Sequence, residues 1–341
     1  MSNIKRKTSA LLAVLTICAA LLSPAGAEQP RRELIPMGCA VGIQMSTDGA
    51  LVVGLAATDN GAAPSPAAKA GIIPGDLITA VGGEKIGSAA ELRVAVNKLA
   101  EDNITVSVKR GEENIELSLC PNRDSGGAEL GMWLRDSVAG IGTLTYYDPQ
   151  SGQYGGLGHG INDVDSGVLM PLGSGCILSS EITEVKKGCA GEPGELHGAF
   201  DPTAARGSIC QNTCCGIFGA LTGGVPSGEP IPVAHSDEIK LGSAKILSNT
   251  SGNRVEEYDV EITRVYRGDQ PGRSMMISVC DPELLAITGG IVQGMSGSPI
   301  IQDGKLIGAV THVMINDPTK GFGISIEEML TASEGCLSPA A

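Results

Sequence analysis

Apolar and polar positions alternate with a period of two along most of the chain, in short runs separated by turn residues. Ile104-Thr-Val-Ser-Val108 and Ile115-Glu-Leu-Ser-Leu119 alternate on either side of Arg110-Gly111 and predict a β-hairpin. Leu77-Ile-Thr-Ala-Val81 reads as a strand ended by Gly82-Gly83, and Val41-Gly42-Ile43 begins another. Residues 140–147, 243–247, 256–266, 274–279 and 321–326 are further strand-like runs, and 299–310 is a hairpin around Asp303-Gly304. Helical signals are few. Ser65-Pro-Ala-Ala-Lys-Ala-Gly71 is one short turn of helix closed by glycine, and residues 327–332 suggest a short closing helix. The clearest is Ser88-Ala-Ala-Glu91, a capping box that opens a helix with Leu92, Ala95, Val96 and Leu99 on one face. The pattern predicts a mostly β protein.

Length and composition divide and place that protein. A chain of 341 residues has room for two domains, and 48 glycines with 3% aromatics suit many turns and a core of small side chains. Pro121-Asn-Arg-Asp-Ser-Gly-Gly127 is polar and turn-rich and reads as the linker between them. A formal charge of −14 lacks the basic face that nucleic acid requires. Residues 1–27 have the form of a secretory signal: Lys5, Arg6 and Lys7, an apolar stretch from Ala10 to Leu22, and Ala25-Gly-Ala27. That stretch is short against the roughly 20 residues of a membrane span, so export is expected, with a retained anchor as the alternative. Nine cysteines follow the leader, five of them between Cys176 and Cys215. Cys210-x₃-Cys214-Cys215 does not match zinc-ligand spacing, so disulfides or buried thiols are expected, with no metal.

The candidate chemistry lies in Gly289-Gly-Ile-Val-Gln-Gly-Met-Ser296-Gly-Ser-Pro299. A serine hydroxyl needs an adjacent base to attack at neutral pH. Glycines around it permit a tight turn that leaves the N–H groups of Gly294 and Ser296 to stabilise an oxyanion. Of four histidines, His159 lies in the glycine-framed Tyr154-Gly-Gly-Leu-Gly-His-Gly160 and precedes Ser296 by 137 residues. That separation lets base and nucleophile come from different parts of the fold. His312 follows a strand and reads as a packed or edge histidine, while His197 and His235 lie in loop sequence.

These segments carry two resemblances. Residues 35–121, above all Ser65 to Gly83, resemble a PDZ domain of the bacterial protease type. That implies a peptide groove between the Val41-Gly42-Ile43 strand and the helix of Ser88 and Leu92. The Gly-x-Ser-Gly-x-Pro loop resembles that of trypsin-like double-barrel peptidases. Tyr154 to Ile161, Gly194-Glu-Leu-His-Gly198, Cys215 to Gly219, Asp281 to Ile300 and Gly308 to Pro318 together resemble SpoIVB-type sporulation serine peptidases. The implied fold is an N-terminal PDZ domain followed by a trypsin-like double β-barrel at 128–335. Ser296 is the implied nucleophile, His159 the base and Asp281 the acid, with Asp163 and Asp165 as alternative acids. No cofactor is implied. The implied partners are a membrane-bound regulator of an intramembrane metalloprotease, cut in the forespore intermembrane space to release sigma-factor processing, and the chain's own N-terminal region. A non-catalytic PDZ scaffold and a general envelope quality-control protease are the rival readings.

Overall fold

The computed structural model describes residues 31–58, 63–124, 127–268 and 272–337. The leader expected at 1–27 lies outside them. Strands of four or more residues are numbered β1 to β16.

The first barrel is a ring of six antiparallel strands: β2 (Ala40–Leu55), β6 (Met132–Tyr147), β7 (Gln153–Gly156), β10 (Gly216–Leu221), β9 (Glu195–Thr213) and β8 (Ser174–Lys186). β8 closes it by pairing with β2. β1 (Glu33–Pro36) adds to the end of β6. The second barrel is closed by β11 (Gly242–Ser251), β12 (Arg254–Val265), β13 (Met275–Val279), β16 (Lys320–Ser325), β15 (Lys305–Val313) and β14 (Pro299–Gln302). Ile246, Val260, Ile277, Ile300 and Val310 fill its interior. Leu196 and Ile182 of the first barrel belong to the same apolar cluster, together with Val292 and Met295. The loop carrying Ser296 therefore lies at the seam of the barrels, where dispersion contacts from both sides hold it.

The PDZ unit is built from the second half of β2, β3 (Leu77–Val81), β4 (Ile104–Arg110) and β5 (Glu113–Leu119), covered by α1 (Pro66–Lys69) and α2 (Ala89–Lys98). The predicted hairpin is β4–β5, in register from Ile104↔Leu119 to Arg110↔Glu113. Ser88 caps α2 as expected, its Oγ accepting the Glu91 N–H at 3.1 Å. Glu91 reaches back to the Gly87 N–H at 2.7 Å. Leu92, Ala95 and Val96 pack on Ile78, Val81 and Val106.

Two expectations need correction here. The two domains are not laid end to end. β2 and β6 pair from Met132↔Leu55 to Thr143↔Ala40, running from the PDZ unit into the first barrel. The barrel thus needs residues upstream of the PDZ unit, which is an insertion between two of its strands. The groove expected at Val41, Gly42 and Ile43 is also absent. These residues pair with Gly142, Ile141 and Gly140 on one edge and with Ser179, Leu178 and Ile177 on the other. A Cβ on Gly42 would meet the Phe200 ring at 2.6 Å. With both edges taken, no peptide can add there. Ser88 acts as a cap and Leu92 as a core residue, at 2% exposure.

Candidate active site

Each part of the site is placed by a local device. After β13, Asp281 caps α3 (Pro282–Thr288), which ends on Gly289 in the left-handed conformation. The chain then turns through Gly290, Gly294 and Gly297, all with positive φ. Gly297 has no freedom to be anything larger, since a Cβ would come within 2.0 Å of the Thr143 carbonyl oxygen. The loop is tied to β6, where Thr143 N–H donates to Ser296 O at 3.1 Å and Thr143 Oγ1 donates to Gly294 O at 2.7 Å. Thr143 is a positioning residue that no motif announced; its signal lies only in the strand register. The N–H groups of Gly294 and Ser296 have no acceptor among the described residues, and both residues line one cleft.

His159 follows Leu157 and Gly158, both at positive φ, which bend the chain toward β15. Gly158 lies against Thr311 and Ile324. The His159 Nδ1 is 2.9 Å from the Gly160 carbonyl, which fixes Nδ1–H as donor and leaves Nε2 as the basic nitrogen. His159, Ser296 and Gly294 line one cleft of about 450 Å³, walled on one side by Val138 to Ile141 of β6. Ser296 Oγ donates to the Thr311 carbonyl at 2.6 Å. Ser298, two residues on, is buried and donates to Ser248 Oγ at 3.2 Å.

His312, expected as a packed or edge residue, lies beside His159, ring centroids 5.0 Å apart at 36°. Burial, His159 and Arg273 together push its pKa down to about 4, so it is neutral at pH 7. Burial also lowers the His159 pKa below 6.5, with the Gly160 hydrogen bond opposing in part. A lowered pKa keeps the imidazole neutral, and so able to accept a proton, at pH values where a free histidine is already charged. The acid limb of kcat/KM is therefore expected below pH 6.5, measurable as a pH–rate profile on any cleaved peptide. A limb at or above pH 6.5 would contradict the buried placement.

The structure does not bring the expected acid to this site. Asp281 Oδ1 accepts the N–H groups of Glu283 and Leu284 at 2.9 and 3.0 Å, and Oδ2 accepts that of Asp259 at 3.2 Å. Burial would raise its pKa, but the N–H groups of Leu284, Asp259 and Glu283 outweigh it and hold the carboxyl below its usual range. Asp163 and Asp165 are no closer to the role. Both pair with Arg135 at 2.6 Å, and Asp163 also closes an Asx turn through Asp165 and Ser166. A backbone carbonyl stands where a triad carboxylate would be. Asp281→Asn is thus expected to turn over within severalfold of wild type, while Asp281→Ala loses about 1 kcal/mol of stability as a lost cap. A fall in turnover of about 10⁴-fold in a folded Asn variant would instead put the carboxylate on His159.

His197 and His235 do not line the cleft; they lie beside Glu195 and Glu327 respectively. The described cysteines carry no disulfide, although Cys214 and Cys215 Sγ are 3.7 Å apart. Among the described residues no cluster of three or more His, Cys, Asp or Glu side chains forms a metal site, and no helix is long and apolar enough to cross a membrane.

Two protein-family models match parts of the chain. Residues 59–110 match the PDZ domain model, and residues 126–330 match that of the SpoIVB peptidase S55 family. Two curated relatives with zinc-metalloprotease names, from Agrobacterium fabrum and Rhizobium meliloti, are each 34% identical, over 90 and 79 residues. Those segments are 26% and 23% of this chain, and the chain spans only 23% and 21% of the relatives' length. Among solved structures, the PDZ domain of an SdrC-like protein from Listeria monocytogenes is 25% identical, with 26% of this chain and 90% of that chain covered and a TM-score of 0.21. The Rv3671c protease of M. tuberculosis is 17% identical, with 60% and 78% covered and a TM-score of 0.33. The peptidase match alone takes in more than half of the chain, which belongs to the SpoIVB peptidase S55 family and carries a PDZ domain.

Proposed function

We propose that Ser296 is the nucleophile and His159 the general base of this peptidase, acting without a cofactor through an acyl-enzyme. The observation that carries the proposal is one cleft holding both side chains beside two unpaired N–H groups, of Gly294 and Ser296. On substrate binding the Ser296 hydroxyl leaves the Thr311 carbonyl by a side-chain rotation and gives its proton to His159 Nε2. The oxygen attacks the scissile carbonyl, and the two N–H groups receive the oxyanion. His159 then protonates the leaving amine, and the Gly160 carbonyl holds the imidazolium through Nδ1–H. Water repeats the sequence to free the enzyme.

The substrate class we propose is a protein of the membrane–envelope space, the regulator of an intramembrane metalloprotease in sporulation signalling, with self-cleavage near the N-terminus. The family match and the leader-like residues 1–27 support export. Fluorophosphonate labelling followed by peptide mapping tests the chemistry: the label is expected on Ser296 and absent after active-site blocking. Labelling of another residue would place the nucleophile there, and no labelling of folded protein would support the scaffold reading. His159→Ala is expected to lose nearly as much turnover as loss of Ser296, since such residues act as a unit. His312→Ala is expected to be milder, and equal losses in the two variants would make His312 a full member of the machinery.

A further inference from the structure

β6 serves two neighbourhoods with one edge. β2 occupies its other edge from Met132 to Thr143. On the free side, β7 pairs only from Leu144 onward. Among the described residues the edge from Met132 to Gly142 therefore has no strand partner, and a Cβ at Gly140 would meet nothing within 4 Å. At its start the edge runs beside α2. Ala89 N–H donates to Asp136 Oδ2 at 2.9 Å, and Asn97 Oδ1 accepts from Ala128 N–H at 3.0 Å, just before the strand. At its end, Val138 to Ile141 form the wall of the cleft that holds Ser296 and His159. An open strand edge is a template for main-chain pairing with an extended polypeptide.

The two ends of this edge differ chemically. Gly131 enters β6 at φ +66°, and its carbonyl accepts the Ala56 N–H at 3.0 Å. Alternation along an antiparallel ladder then turns the Met132 N–H outward. The Gly131 N–H has no acceptor among the described residues. Leu130 and Met132, its chain neighbours, and Leu99 and Ala128 are partly buried against the apolar core of the PDZ unit. Backbone donors beside an apolar cluster suit a terminal carboxylate with an apolar last side chain. From Gly131 to Ile141 is ten residues, or about 34 Å at the rise of an extended strand.

We propose that β6 is a continuous rail for the substrate's C-terminal segment. The free carboxylate rests at Gly131 and Met132, the chain runs antiparallel to β6, and the scissile bond reaches Ser296 about ten residues upstream. The enzyme on this account measures its cut from the substrate's carboxyl end. Capture by the PDZ unit and presentation to the cleft are then one binding event on one strand, and no movement between two separate sites is required. The proposal rests on Ser296 being the nucleophile.

The test uses the full-length enzyme and a mixed-sequence library of unstructured peptides in several lengths, each made with a free carboxylate and with a C-terminal amide. Cleavage positions are read by mass spectrometry and rates as kcat/KM. Free-acid peptides longer than the rail are expected to be cut at a near-constant distance from their ends. Amidation is expected to lower kcat/KM by about tenfold, the loss of one charge-assisted contact, and to scatter the cuts. Cuts that follow local sequence regardless of distance from the end, with amidation making no difference, overturn the rail and leave the nucleophile assignment intact. No cleavage of any peptide, including short ones blocked at both ends that span only the cleft, overturns the assignment of Ser296 on which the rail depends.

Discussion

Ser296→Ala is expected to reduce peptide turnover by on the order of 10⁴- to 10⁶-fold while leaving the thermal melt unchanged. The hydroxyl is the only atom removed, and its one hydrogen bond, to the Thr311 carbonyl, carries no part of either barrel's core. The carbonyls of Ser296 and Gly294 remain held by Thr143, so the loop keeps its shape. What is lost is the covalent route. Ser298→Ala is the control: its hydroxyl is buried against Ser248, so the expected effect is a modest loss of stability with activity retained. Turnover by the folded Ser296 variant near the wild-type rate would end the assignment, and retained fluorophosphonate labelling would point to another nucleophile.

Deleting residues 37–120 is expected to leave no folded peptidase, although a domain boundary near 121 would make that deletion look harmless. The deleted stretch contains β2, a central strand of the first barrel paired on both edges. Val41, Ile43 and Met45 would leave the core, each worth about 1.5–3 kcal/mol. Together with the orphaned ladder groups of β6 and β8, that is comparable to a whole domain's net stability of about 5–15 kcal/mol. A deletion of 56–131 that joins Leu55 to Met132 should behave differently. These residues are register partners, so a two-residue turn can close the ribbon without disturbing the barrel. This shorter variant is expected to melt cooperatively and to cleave short peptides. On a long or membrane-bound substrate its kcat/KM should fall by roughly 10²-fold, because the tethered capture surface is gone. Cooperative melting and normal labelling of the 37–120 deletion would show that β2 is not a shared strand.

What the sequence by itself determined was whatever is local. The β4–β5 hairpin and the Ser88 cap are each fixed by neighbours within a few residues, through alternation and hydroxyl-to-N–H geometry, while the glycines marked the Ser296 loop whose shape Thr143 of β6 holds. The pairing of His159 with Ser296 in one cleft was also legible, because residue type and glycine context mark both. The tertiary structure alone decided which strand edges stay open. Val41 to Ile43 and Met132 to Gly142 are both extended segments, yet one is paired on two sides and the other on one, a matter of partners distant in the chain. It also decided where the Asp281 carboxylate points. An aspartate before Pro282 is as good a helix cap as a triad member, and only the direction of its oxygens toward Glu283, Leu284 and Asp259 separates the two. His312 reached His159 the same way, through the closure of β15 against a loop of the other barrel, 153 residues away in sequence.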